Sequence, residues 1–198
     1  MRVLIIETAT SVCSVALFDR DRIVDYGHET VARGHAERLL PMIAALDGGG
    51  RADAIRVDVG PGSFTGVRVG VAAARALGFG WGVPVTGFAS LALLAAIDGG
   101  RADTLIAIEG GHGELFVARY AGDGSTEIAP RSRPFAQAVA EARETRIVGN
   151  AAHRLVAARG WGEAIPADPD ARLAITVVAA LAPVPIYARD ADAKPMAG

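Results

Sequence analysis

DVGPGSFTGVRVG, residues 58–70, follows a short apolar run, and the glycines of its turn fall at Gly60, Gly62 and Gly66. A dinucleotide-binding turn needs the order G-x-G-x-x-G, and here the third glycine falls one residue too far. A Walker loop needs a lysine directly after its closing glycine, but Gly66 is followed by Val67. The stretch matches neither nucleotide cradle and reads instead as strand, tight turn and helix. Gly60 and Gly62 permit the turn, Pro61 fixes it, and Ser63 is placed to cap a helix running to about Gly80.

That helix is apolar on too many sides. Its charged residues, Arg68 and Arg75, are seven apart and share nearly one line, while Val67, Val69, Val71, Leu77 and Phe79 are spread around the rest. Gly66, Gly70, Ala74 and Gly78 recur every four residues, a row of small side chains that lets another backbone come close. Glycines inside a helix cost about 0.5–1 kcal/mol each relative to alanine, so packing or function must compensate. Two coverings fit this row: the rest of the chain, or a partner.

Outward from this element the pattern is α/β. Residues 3–7 (VLIIE), 12–19 and 22–29 read as three strands beginning with a hairpin, and 35–47 as a helix that Pro41 kinks or restarts. GGGR reads as a linker, 53–59 and 84–88 as strands, and 89–97 as a second helix after the glycine-turn helix. DGGR (98–101) marks a boundary, giving lobes 1–98 and 99–198. Beyond it, 104–124 repeats the opening. A shift of 102 residues places Glu109 on Glu7, Ile108 on Ile6, Val117 on Val15 and Ala118 on Ala16. The remainder reads as helix (135–143), strand (146–150), helix (151–160) and helix (173–181). Two similar lobes, each opening with a hairpin, describe a duplicated actin-like or sugar-kinase-like architecture, with mixed sheets flanked by helices, better than a doubly wound sheet.

Composition narrows the function. The chain has 198 residues, 51% of them hydrophobic, enough for a sizeable core. A formal net charge of −2 argues against autonomous nucleic-acid binding, so any tRNA contact is expected only through a complex. No long uncharged apolar run or signal-peptide core is present, and the expectation is a cytoplasmic protein without a membrane segment. Cys13 is the one cysteine, excluding an internal disulfide, and reads as packing. His28, His35, His112 and His153 form no helical ligand pair, so no metal is expected in this chain. His35, opening a helix, reads as a surface residue. Glu7 and Glu109 each close an apolar strand and are candidates for a facing acidic pair, with Thr8, Thr10 and Ser11 completing a possible nucleotide-related loop. Ser63 and Thr65 lack an adjacent base, and no catalytic residue is assigned.

ETATSVCSVAL, HAERLLPMI, GPGSFTGVRVGVAAARAL and GVPVTGFASL resemble the TsaB (YeaZ) family, the dimerisation subunit of the bacterial machinery that makes threonylcarbamoyladenosine in tRNA. AIEGGHGELFVARY and the terminal PVPIYARDADAKP match more weakly. The resemblance implies an actin-like two-lobe fold and a heterodimer with the catalytic homologue TsaD, joined by TsaE. ATP or ADP and a metal are then expected in the partner subunits, with no cofactor of this chain's own. It also implies that helices 35–47 and 63–80 meet the partner through His35, Leu39, Met42, Ile43, Gly66, Val67, Gly70, Ala74 and Leu77; an apolar helical surface of this kind, left uncovered, is expected to make the isolated chain self-associate as a homodimer through the same helices. TsaD-type proteins carry a segment resembling GVNHLEGH, with two metal-binding histidines; here GFASLALL puts Ser90 and Leu94 at those positions. The competing reading is an ATP-binding actin-like enzyme, a phosphotransferase or metallopeptidase. Two departures stand in the first lobe: Glu7 where the family usually has aspartate, its extra methylene displacing the carboxylate, and Asp58 where a small or apolar residue is usual.

Overall fold

Strand β1 (Arg2–Glu7) is apolar on both faces and accordingly lies at the centre of a sheet, covered on both sides. In this computed structural model, which describes residues 1–31, 33–99, 103–121 and 125–188, the first sheet also contains β2 (Val12–Asp19), β3 (Arg22–Thr30), β4 (Ala54–Asp58) and β5 (Val85–Phe88). Its order is β3-β2-β1-β4-β5. The hairpin strands are antiparallel, whereas β4 and β5 join in parallel. Parallel neighbours need crossovers, supplied by α1 (His35–Ala45) and α2 (Phe64–Trp81). A 3-10 turn over Asp47–Gly50 occupies the glycine linker. Pro41 lies inside α1 without ending it, so the expected restart is corrected to one continuous helix.

The second sheet repeats this plan. Strands β6 (Thr104–Gly111), β7 (Glu114–Tyr120), β8 (Thr126–Pro134), β9 (Arg146–Val148) and β10 (Glu163–Ile165) take the order β10-β9-β6-β7-β8, with the same parallel and antiparallel pairings. Its helices are α4 (Phe135–Glu141) and α5 (Ala152–Arg159). The shift of 102 holds for β6 but slips by one on β7. Ile6 pairs with Val15, whereas Ile108 pairs with Phe116, beside a register irregularity between Glu109 and Gly111. The fold is thus the expected duplicated actin-like pair of mixed sheets.

Helix α3 (Ser90–Ile97) joins the lobes, and its sequence explains why. SLALLAAI has no polar stripe, so most of its circumference must be covered, and only Ala96 and Ile97 at its end are exposed. Leu93 enters the core beneath the first sheet, with Ile5, Phe18 and Phe88. Leu91, Leu94 and Ala95 enter the core beneath the second, with Ile106, Phe116 and Val148. The expected boundary at 98–101 falls just after this helix; Gly100 and Arg101 lie outside the described residues. The expected second lobe, 99–198, is not one unit. Residues 171–177 return to the first lobe, where Ala171, Ala174 and Val177 pack on Val3 and Ile5. They form a 3-10 helix over Ala171–Thr176 rather than the expected α-helix over 173–181. The chain then runs as a strap. Leu181 exchanges two backbone hydrogen bonds with Gly87, Ile186 N donates to Val59 O (2.8 Å), and Ala188 O accepts from Ser132 N of β8 (3.0 Å). The last residues of the PVPIYARDADAKP stretch, 189–195, lie outside the described residues.

Candidate functional site

Two surfaces emerge from this frame: a cleft between the lobes and an outward face of α1 and α2. The cleft, about 1140 Å³, is walled by the β1–β2 turn (Thr10, Ser11), the start of α2 (Phe64, Arg68), the β6–β7 turn and Tyr187 of the strap. Ser63 caps α2 as expected, its Oγ accepting from Gly66 N at 3.2 Å. At the cleft mouth the Arg68 guanidinium lies 3.1 Å from the Phe64 ring centroid and 5.0 Å from that of Tyr187.

The nucleotide-related loop divides. Thr10 and Ser11 line the cleft, whereas Glu7 and Thr8 are buried beneath it. Thr8 Oγ1 donates to Gly66 O (2.8 Å) and Glu7 Oε1 accepts from Ala9 N (2.6 Å). Burial, reinforced by the neighbouring Asp58 carboxylate, raises the Glu7 carboxyl well above the usual carboxylate range against that hydrogen bond. Glu109, by contrast, lines the cleft and pairs with Arg154 Nη1 at 3.0 Å. The two glutamates therefore do not form a facing pair. Glu7 turns into the core while its counterpart, beside the irregular β6–β7 register, turns to solvent.

The residues expected to meet a partner divide as well. Gly66, Val67, Gly70 and Ala74 are buried in the chain itself. A Cβ on Gly66 would meet Thr8 O, one on Gly70 the Thr8 hydroxyl, and one on Gly78 the Val85 side chain. The small-residue row thus brings α2 close to its own sheet, so that reading of its outward role is corrected. The same holds on α1. Leu39 and Ile43 are core residues, and Met42 covers Gly27. His35 is buried rather than superficial, its Nε2 3.2 Å from Val12 O. Leu77 is half-buried against the core.

What faces outward is the opposite side of the same helices. Leu40 is 52% exposed and Phe79 91% exposed, with Ala36 and Ala44 of α1 and Ala72 and Ala76 of α2 also open to solvent. In sequence this strip is overshadowed by the row Gly66, Gly70, Ala74 and Gly78, to which the partner face is assigned. The signal available was Phe79, an aromatic residue on the side opposite Gly70 and Ala74.

Ser90 and Leu94, where the resemblance looks for metal-binding histidines, are both fully buried; Ser90 Oγ donates to Asp58 Oδ1 at 2.7 Å. Among the described residues no three His, Cys, Asp or Glu side chains are gathered as a metal site, and no helix is long and apolar enough to cross a membrane.

An actin-like pair of lobes around a cleft, with a bare helical face beside it, is the class of protein these observations define. The family model described as TsaD, tRNA N6-adenosine threonylcarbamoyltransferase, matches residues 28–158, and the chain belongs to that family. Proteins similar to it include TsaB and YeaZ proteins. The tRNA threonylcarbamoyladenosine biosynthesis protein TsaB of Escherichia coli is 41% identical over 100 residues, 48% of this chain and 43% of that one. TsaB of Haemophilus influenzae is also 41% identical over 100 residues, 48% of this chain and 42% of its own. The chain thus spans under half the length of the curated relatives it matches. YeaZ from Pseudomonas aeruginosa superposes with a TM-score of 0.73 at 26% identity, covering 94% of this chain and 99% of that one.

Proposed function

We propose that this chain is a non-catalytic subunit that pairs with a TsaD-type transferase and activates it for threonylcarbamoylation of the adenosine next to the tRNA anticodon. The observation that carries the reading is the outward apolar strip on α1 and α2, centred on Leu40 and Phe79. Apolar surface on neighbouring helices stabilises association when a partner covers it and is a liability in water when none does. The same strip serves a two-fold homodimer in the absence of the partner, since such a contact reuses one patch. The burial of Ser90 and Leu94 supports a supporting rather than a metal-dependent catalytic role, because neither side chain reaches the cleft. ATP or ADP and a metal then belong to the partner subunits, TsaE joins as a further subunit, and tRNA is contacted through the assembly.

The test is reconstitution. Mixing this protein with TsaD from the same organism, and with TsaE, should raise tRNA threonylcarbamoylation above that of the mixture lacking it. Tight ATP binding or stoichiometric metal in this chain alone would overturn the reading in favour of an actin-like enzyme.

A further inference from the structure

The two unusual acids of the first lobe are neighbours. Strands β1 and β4 pair in parallel with Ile6 opposite Val57, so the next residues, Glu7 and Asp58, stand side by side at the strand ends with their side chains on one face. Both are fully buried. Each carboxyl spends one oxygen on the chain two residues ahead: Glu7 Oε1 on Ala9 N, and Asp58 Oδ1 on Gly60 N (2.6 Å) and the Ser90 hydroxyl. The remaining oxygens, Glu7 Oε2 and Asp58 Oδ2, are buried and meet no donor among the described residues.

Among the described residues no cation is paired with either acid, and Arg56, on the same face of β4, donates Nη1 to Ile175 O (2.8 Å). Cys13 of β2 and Tyr120 of β7 are held neutral by burial, their protons retained up to about 11 and about 12. Asp168 and Asp170 add further negative charge beside Glu7. The nearby Arg172 guanidinium and His28 ring are both engaged with Asp170. Two carboxylates would leave adjacent charges in the core without a counter-ion, whereas one proton removes a charge and gives both idle oxygens a partner.

We propose that Glu7 and Asp58 share a single proton, as acid and conjugate base, and that this O–H···O bond locks together the two loops flooring the cleft. The loops are the ones each carboxyl grips: 8–11 and 59–63. They meet through Ser63 N donating to Ala9 O (2.6 Å) and through Gly62 packed on the same carbonyl. Burial raises both acids, Asp58 to about 7 and Glu7 well above its usual range. In the unfolded chain both titrate near 4. Folding therefore takes up a proton, and the stability it brings is full below about pH 4 and falls as pH rises through about 7. For one proton the folding constant drops about tenfold per pH unit across that window.

Infrared spectroscopy at pH 6 should show a protonated carboxyl stretch that the Glu7→Gln/Asp58→Asn double variant lacks. Hydrogen exchange at Ala9 and Gly60, corrected for intrinsic rate, should rise at least tenfold from pH 6 to pH 8.5 in the wild type. Asp58→Asn, which supplies a fixed N–H in place of the proton, should abolish that rise. Absence of the band at pH 6, or identical exchange profiles in the wild type and Asp58→Asn, would overturn the proposal. So would stabilisation by magnesium or calcium at neutral pH that Asp58→Asn removes, since a cation would then fill the place given to the proton. If Asp58→Asn does not fold, the infrared comparison of the wild type with Glu7→Gln decides.

Discussion

Gly70 shows how one missing carbon organises this molecule. A Cβ there would run into the Thr8 hydroxyl, which already donates to Gly66 O one turn earlier. Replacing Gly70 with Arg therefore overpacks the contact and buries a charge without a partner, at a cost of about 3–5 kcal/mol. The expected result is a thermal midpoint roughly 10 °C lower, measurable by calorimetry, and not a selective loss of partner binding. Ser63→Ala should cost less, about 1 kcal/mol, because it removes one cap hydrogen bond from a helix otherwise held by packing. A thermal denaturation curve for each variant separates the two effects. At this scale Ser63 was legible in the sequence, since a cap needs only its position before an apolar run. The destination of Gly70 was not. A small residue in a helix announces close approach without naming what approaches, and here the answer lay in Thr8, more than sixty residues earlier.

At the scale of elements, the alternation and spacing of apolar residues placed the opening hairpin, α1, α2 and the repeated strands. What they left out were the elements whose burial is supplied from elsewhere. β8 has few buried residues of its own, and β10 is three residues long. Residues 173–181 have helical composition, but only a 3-10 helix over Ala171–Thr176 forms, fitted onto the first sheet, and no helix follows it among the described residues. The phase of α2 is where sequence and structure part: the helix forms as expected, but the face expected to meet the partner packs on its own sheet. Its outward face can be tested directly. Ala76→Arg places a long cation on the exposed strip beside Phe79 without touching the core. The fold should be unaffected within about 0.5 kcal/mol, as is usual for surface changes. Affinity for a TsaD-type partner should fall about a hundredfold, corresponding to about 2.8 kcal/mol, and self-association should weaken in parallel by sedimentation. A variant that binds normally would show that the partner uses another surface.

For the whole molecule, the duplicated sheets suggest two independent lobes, yet α3 belongs to both cores. Leu94→Ala should therefore lower the stability of the entire chain by about 2–5 kcal/mol. Calorimetry should still record one transition, and two separated transitions would contradict the shared helix. Residues 171–177 strengthen the tie, since they reach the first sheet only after the second is complete. The symmetry of the fold is thus not a symmetry of its folding units. The consequence of α3 is clearest if the polypeptide is cut just after it. The amino-terminal piece would carry Leu91, Leu94 and Ala95 with nothing to cover them, while the carboxyl-terminal piece would hold the matching hollow together with the segment that seals the first sheet. Each piece then lacks part of its own interior and finds it in the other. Produced together, the two should recombine into a native-like complex, like the halves of a broken object whose fracture runs through the grain.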